Sequence, residues 1–396
     1  MALPEIFWQT AFWLYIIAAV VQLAAWWGLF ARLAFLKKLS IYQPTDQSQI
    51  NQSTSIIICA RNEADNLRRH LHAILSQEYE GQWELIVVDD ASEDETQAVL
   101  QFFQEKNPER MRVLRIDEKT SPGKKYALSQ GIAAAKYDYL LLTDADCEPA
   151  SPYWLAHMAA MLTSKPETEI ALGYGPNLTT FKKWSNLQAV SLWSRYETAF
   201  VAAQYFSFAL AGMPYMGVGR NLAFNRQAFN RIGGFSEHLH IPSGDDDLLV
   251  NAAATAHNTV ICLTPETFMY SDAPINWSSW FGQKQRHLAA SSLYRWTHKT
   301  ILGGMGLSHA GFYFLFILLL FAGVATKIVV GIFLFRLLSV QLIFGKILRG
   351  LRESDLFWRI PLYDGLLAVY YGAVVPWFLI KKNSAGWGST VRSDTF

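Results

Sequence analysis

Apolar positions in this chain follow two regimes. Through the middle, short apolar runs alternate with stretches whose apolar residues recur at helical spacing. Ile56-Ile57-Ile58-Cys59, Leu85-Ile86-Val87-Val88, residues 113–116 and Tyr139-Leu140-Leu141-Leu142-Thr143 read as buried strands. Between them, Leu67, Leu71, Ile74 and Leu75, then Thr96, Val99, Leu100 and Phe103, then Ala127, Leu128 and Ile132 mark three helix faces. Strands alternating with amphipathic helices predict an α/β unit: a mostly parallel sheet with right-handed crossovers and helices on both faces. The polar residues at the strand ends then collect along one edge.

At the two ends the apolar residues run on without strand-like breaks. Residues 7–30 carry no charge and are long enough to cross a bilayer, which takes roughly 20 residues. Trp8, Trp13, Trp26 and Trp27 suit interfacial belts, and Arg32, Lys37 and Lys38 follow. Three further apolar stretches cover about 309–326, 328–344 and 362–380, with Lys346, Arg349, Arg352 and Arg359 between the last two. The bias of Lys and Arg toward the cytoplasmic side puts the N-terminus outside and the α/β unit inside. The last stretch contains Pro376 and precedes Lys381-Lys382; it either spans or re-enters. Lys327 and Arg336 are expected to snorkel, although intramembrane charges are functional candidates by default. Residues 40–54 are polar and read as a linker. Segments 187–213 and 277–296 carry apolar faces, the second with Trp277, Trp280, Phe281, Leu288 and Trp296, suited to the membrane interface or to packing on the long helices.

Composition narrows the classes. The chain has 396 residues and a net charge of +1, which argues against a nucleic-acid footprint. Cys59, Cys147 and Cys262 are far apart and show no zinc spacing, as expected in a reducing compartment.

The candidate chemistry sits at the strand ends. The fourth strand runs into Asp144-Ala145-Asp146, a turn able to hold Mg²⁺ or Mn²⁺ together with substrate phosphates. An EF-hand is excluded, because no glycine stands at the sixth position and Leu155 occupies the twelfth. Ala60-Arg61-Asn62-Glu63 follows the first strand, Asp89-Asp90-Ala91-Ser92 ends the second, and Ser121-Pro122-Gly123-Lys124-Lys125 follows the third. A base and ribose need carboxylate and amide partners; a diphosphate needs cations and free N–H groups at a helix start. Each piece alone also reads as a helix cap or a solvated helix start. Together, at successive strand ends, they favour a nucleotide site. There is no Walker A sequence, and Gly217-Val218-Gly219 lacks the third glycine of a dinucleotide fingerprint.

Taken in order, Cys59-Ala60-Arg61-Asn62-Glu63, Val88-Asp89-Asp90, Gly123-Lys124-Lys125, Asp144-Ala145-Asp146, Gly217-Val218-Gly219-Arg220-Asn221, Gly233-Gly234-Phe235, Ser243-Gly244-Asp245-Asp246-Asp247-Leu248 and Gln283-Lys284-Gln285-Arg286-His287 resemble a membrane-bound family 2 glycosyltransferase of the GT-A fold. The resemblance implies an inverting transfer of sugar from a nucleotide-sugar donor; the apolar faces of segments 187–213 and 277–296 beside the site point to a membrane-associated, lipid or lipid-linked, acceptor. It places Asp89 and Asp90 near the base and ribose, Asp144 and Asp146 on the metal and diphosphate, and Asp245 on the acceptor side as base, with Asp246 the alternative. Arg61, Asn62, Glu63, Lys124, Arg220, Gln283, Arg286 and His287 complete the expected donor site, the arginines being suited to bidentate phosphate contact. Two positions depart from the family pattern: His287 replaces the usual Trp, and Gly244 stands where Glu is common. The expected organisation is an N-terminal transmembrane helix (1–38), a linker (39–54), a catalytic domain (55–275), an interfacial helix (276–300) and a C-terminal transmembrane region (301–396). The expected location is a bacterial-type inner (plasma) membrane, with the catalytic domain cytoplasmic. The rival readings are a processive polysaccharide synthase of the same fold and, from another class, a nucleotidyltransferase.

Overall fold

A computed structural model describes residues 4–36, 52–118, 123–179 and 186–380. Most of the expected linker, Ser121-Pro122 and Lys381-Lys382 lie outside the described residues. The strands are β1 (Thr54–Ala60), β2 (Trp83–Asp90), β3 (Met111–Ile116), β4 (Tyr139–Asp144), β5 (Cys147–Pro149), β6 (Ile170–Leu172), β7 (Asn177–Leu178), β8 (Leu222–Asn225), β9 (Thr259–Ile261) and β10 (Met269–Asp272). Seven of them form one sheet in the order β3-β2-β1-β4-β8-β6-β9, and β5-β10-β7 form a small second sheet.

The first four strands are parallel, as their apolar runs predict; β8 enters antiparallel between β4 and β6. Side chains of β1 sort by period two, and both sets are covered. Ile57 and Cys59 join a core with Ala127, Leu128 and Ile132 of the helix Lys125–Ala134. Ile56 and Ile58 join a core with Leu67, Leu71 and Ile74 of the helix Ala64–Leu75 and with Val99 and Leu100. Burial on both faces is why these strands are continuously apolar rather than alternating.

Register then sets the chemistry. Cys59 pairs with Asp144 and Ala60 with Asp89, so the polar ends of β1, β2 and β4 lie side by side. The chain turns back on itself between β1 and β4, the place where open α/β sheets bind ligands.

Among the described residues, three helices are long and apolar enough to cross a membrane: Glu5–Ala34, Trp296–Phe321 and Thr326–Gly350. The second starts well before the stretch expected from hydropathy and ends where Gly323 and Ala325 turn with positive φ. The last apolar stretch is also helical, as Ile360–Val369, a π turn and Val375–Ile380. The apolar segment expected over 187–213 is the helix Asn186–Leu210. Its Trp193, Tyr196 and Phe200 are buried, and ring contacts run from Phe200 to Trp26, Phe30 and Phe344 and from Tyr196 to Phe344. This helix therefore joins the α/β unit to the long helices. The segment expected over 277–296 is the shorter helix Trp277–Ser291, started by a reciprocal capping box between Asn276 and Ser279. Snorkelling is corrected for Arg336: it is 1% exposed and ion-paired with Asp364, because a partner charge within the helices is nearer than water.

Candidate active site

One cavity of about 810 Å³ gathers most of the expected site. Glu63, Lys124, Asp144, Asp146, Arg220, Asp245, Asp246, Gln283, Arg286 and His287 all line it. Arg61, Asn62, Asp89 and Asp90 do not line it; they lie next to it at the ends of β1 and β2. There the two loops lock each other. Asn62 N donates to Ser92 Oγ at 3.0 Å, Glu93 N donates to Asn62 Oδ1 at 2.8 Å, and Ser92 N donates to Asp89 Oδ1 at 3.1 Å.

At the end of β4, ligand atoms of Asp144, Asp146 and Cys147 lie within 4.8 Å of one another. Burial pushes the Cys147 thiol well above its usual range, and its Sγ donates to Asp146 Oδ1 at 3.3 Å. The Asp144 and Asp146 carboxylates are hard oxygen ligands of the kind that fit Mg²⁺ or Mn²⁺. The spot already attracts a cation. Lys124 Nζ is paired with Asp144 and lies 3.7 Å from Asp245 Oδ2. Burial works against both charges, yet the pairing raises Lys124 and holds Asp144 below the usual carboxylate range.

The three adjacent aspartates are not equivalent. Asp246 is the N-cap of the helix Asp247–Ala253: its carboxylate accepts from Gly219 N at 2.6 Å and from Asp247 N at 2.8 Å. Burial, with Asp245 and Asp247 alongside, pushes it up to about 8. Asp247 points inward, accepting from the Tyr294 hydroxyl at 2.7 Å, and burial raises it to about 6. Only Asp245 faces the Lys124 ammonium and the open cavity without a backbone donor among the described contacts. Glu63, which also lines the cavity, is pushed up to about 7 by burial, with the Asp146, Asp144 and Asp94 charges adding to it.

Two glycines shape the acidic loop. Gly123 has φ +80, and a Cβ there would sit 2.2 Å from Pro242 O. Gly244 has φ +88, and a Cβ would meet Leu248 Cδ1 at 2.7 Å. The positive φ makes any residue with a side chain strained at 244 in this loop conformation.

Gly219, Arg220 and Asn221 divide their work. Gly219 N holds Asp246; Asn221 is buried scaffolding that donates to Tyr174 O and Thr267 O and accepts from Trp154 Nε1. Arg220 Nη1 donates to Asn177 Oδ1 at 3.0 Å and to Ser271 Oγ, which fixes its guanidinium at the cavity wall. His287 lines the same stretch of the cavity as Lys284, Arg286 and Arg220.

Two further contributors were not expected from the sequence. Lys125 is fully buried, and its Nζ donates to His238 O, Ile241 O and Ser243 O at 2.8, 3.2 and 2.7 Å, tying down the loop that leads to Asp245. A signal existed: Lys125 falls three and seven places before Leu128 and Ile132, on the apolar face of its helix. Glu197 and Lys284 form a buried pair in the cavity wall; they come from distant segments, and no spacing links them.

Residues 55–233 match the family model of glycosyl transferase family 2. The chain carries a glycosyl transferase family 2 domain. Asp245, Asp246 and residues 283–287 lie beyond the matched segment of this family 2 domain. The poly-beta-1,6-N-acetyl-D-glucosamine synthase of Staphylococcus aureus (strain MSSA476) is 30% identical over 106 residues, which make up 26% of this chain and 24% of that protein. The "Probable glycosyltransferase YdaM" of Bacillus subtilis (strain 168) is 24% identical over 237 residues, 59% of this chain and 53% of that protein. The chain thus spans from about a quarter to about half the length of these relatives. A solved structure of the mannosyltransferase PcManGT from Pyrobaculum calidifontis, in complex with GDP-Man and Mn²⁺, superposes with a TM-score of 0.57 at 18% identity, covering 93% of this chain and 99% of that one. The fold of the family 2 domain is GT-A.

Proposed function

We propose that this protein is an inverting, metal-dependent glycosyltransferase that moves a sugar from a nucleotide-sugar donor to a lipid acceptor in the membrane. The observation that carries the reading is the cavity itself. It is continuous from Asp144, Asp146 and Asp245 to Leu302, Gly303, Gly306 and Leu307 of the helix Trp296–Phe321, and to Leu367, Tyr370, Tyr371 and Val375 of the last helical run. A polar end with carboxylates and an apolar end among candidate spans suit an acceptor whose head must reach the chemistry while its tail stays in hydrocarbon.

Within this reading Asp144 and Asp146 hold the divalent ion, which, when bound, neutralises charge on the donor diphosphate. Arg220, Arg286 and Lys124 supply further positive charge around the diphosphate. His287 offers a ring N–H to the same region. Arg61, Asn62, Asp89 and Asp90 hold the base and ribose beyond the cavity's edge. Asp245 accepts the proton of the acceptor hydroxyl as its oxygen attacks the anomeric carbon. The bond from that carbon to the diphosphate oxygen breaks from the opposite side, which inverts the centre and releases a nucleoside diphosphate. Asp246, tied to two backbone N–H groups, serves the loop's shape and not the proton.

A processive polysaccharide synthase is the second reading, favoured by the partial match to a poly-N-acetylglucosamine synthase. Product length separates the two. The proposal is tested with Asp245→Asn. Transfer should fall by about 10²–10⁴-fold, the usual contribution of a general base, while sugar-nucleotide affinity changes little. Near-normal transfer by Asp245→Asn together with a dead Asp246→Asn would reverse the two roles.

A further inference from the structure

The long helices carry a polar cluster that the transfer chemistry does not use. Gln22, His309, Arg336 and Asp364 come from four separate helical segments, and each is at most 4% exposed. Arg336 Nη1 donates to Asp364 Oδ2, and Nη2 donates to Gln22 Oε1 at 2.9 Å. His309 Nδ1 accepts from Arg336 Nη2 at 3.2 Å, while its Nε2 donates to Asp364 O at 2.8 Å. The Tyr313 hydroxyl donates to Asp364 Oδ2 at 2.6 Å, and the Gln22 amide donates to Met305 O and Ser308 Oγ at 3.1 and 2.8 Å. Arg336 lies ten positions into its helix (336 − 326), about 15 Å from its start and so near the middle of a bilayer. A charge at that depth is expensive unless it is paired, and such charges mark function more often than packing.

The cluster is one helical turn from the acceptor end of the cavity. Asp364 precedes Leu367 by three residues and Tyr371 by seven, and both line the cavity. His309 follows Gly306 by three, and Gly306 lines it too. The Tyr371 ring packs edge-on against His309 at 5.9 Å, and a Cβ at Gly306 would stand 3.1 Å from Tyr371 Cδ1. The separation between the helix Trp296–Phe321 and the last helical run is therefore set where the two meet Arg336.

We propose that Arg336 and Asp364, with His309 and Gln22, form a positioning clamp that fixes the gap between these two helices and so shapes the apolar half of the acceptor site. The clamp accounts for the last apolar stretch: it carries a carboxylate because the preceding helix brings the matching guanidinium. The acceptor role rests on the lipid reading above; the clamp itself does not.

The test uses full-length protein in membranes or detergent. Arg336→Met and Asp364→Asn should raise the acceptor KM by at least about tenfold, with donor KM within about twofold of wild type. The exchange Arg336→Asp with Asp364→Arg should restore most of the acceptor affinity. A second readout needs no substrate. Gly306→Cys with Tyr371→Cys should form a disulfide on mild oxidation, since a β-carbon at 306 stands 3.1 Å from the Tyr371 ring, and adding Arg336→Met should slow it at least about fivefold. Retained donor binding shows that each variant has folded. Wild-type acceptor KM and wild-type cross-linking in Arg336→Met would overturn the clamp, as would a charge exchange no better than the single variants. Cross-linking that responds as expected in a protein with no lipid acceptor would support the clamp and remove the lipid reading.

Discussion

Lys125→Met isolates what holds the catalytic loop. The ammonium is fully buried and donates to three carbonyls, those of His238, Ile241 and Ser243. Hydrogen bonds to a charged group are each worth about 1.5–3 kcal/mol, so three amount to roughly 4–9 kcal/mol in gross terms. Two effects oppose this. Burial holds Lys125 below the usual lysine range, so its removal relieves a desolvation cost. The loop is also half exposed, so water can reach some of the freed carbonyls. A net loss of about 3 kcal/mol is expected, confined to the loop that carries Asp245 and Asp246. Native-state hydrogen exchange should then show protection across residues 236–246 falling by about 100-fold, with β1, β2 and β4 unchanged. Transfer should fall with it, while nucleotide affinity at the β1 and β2 ends should hold. Arginine should not rescue, because its planar fork does not match three carbonyls around one point. Unchanged exchange across 236–246 together with full transfer in Lys125→Met would refute the reasoning.

Asp146→Asn should abolish turnover and weaken donor binding, and EDTA should mimic it; full activity in either case would remove the metal assignment. Asp247 is raised from 3.8 to about 6 by burial, so its stabilising effect is complete below pH 3.8 and is lost as pH rises through about 6. The difference corresponds to a contribution on the order of 3 kcal/mol. Asp247→Asn should therefore lose less stability than wild type between pH 5 and 7.5 in denaturant titrations, and an identical slope would contradict the burial argument. Phe321, which ends the second long helix, and Trp358, which follows the third, are 88% and 85% exposed. In intact cells an impermeant thiol reagent should label Phe321→Cys and spare Trp358→Cys; the reverse pattern would invert the topology.

How much of this was legible in the sequence follows from what each feature depends on. Buried parallel strands announce themselves as continuous apolar runs, so β1 to β4 and the carboxylates at their ends could be read directly. Asp144 and Asp146 needed no tertiary information, because the end of β4 fixes where they stand. Antiparallel β8 and the small second sheet rest on strands of two to four residues, too short for a periodic signal. Arg336 was expected to snorkel because hydropathy treats each helix alone. Its partner Asp364 lies in another helix, and only packing shows that the two meet. The same limit hid Glu197 and Lys284. Lys125 was different: its place on an apolar helix face was visible, but a lysine there reads first as the end of a motif.

The central claim is sugar transfer from a nucleotide to a membrane lipid, and one assay addresses it directly. Purified protein is incubated with Mn²⁺, total lipid extract and UDP-, GDP- or dTDP-sugars in turn, and both the released nucleotide and the lipid masses are measured. One donor should release its nucleoside diphosphate and add one sugar mass to a lipid, and Asp245→Asn should lose both signals. Release of pyrophosphate, or nucleoside diphosphate release with no sugar entering any lipid, would contradict the account.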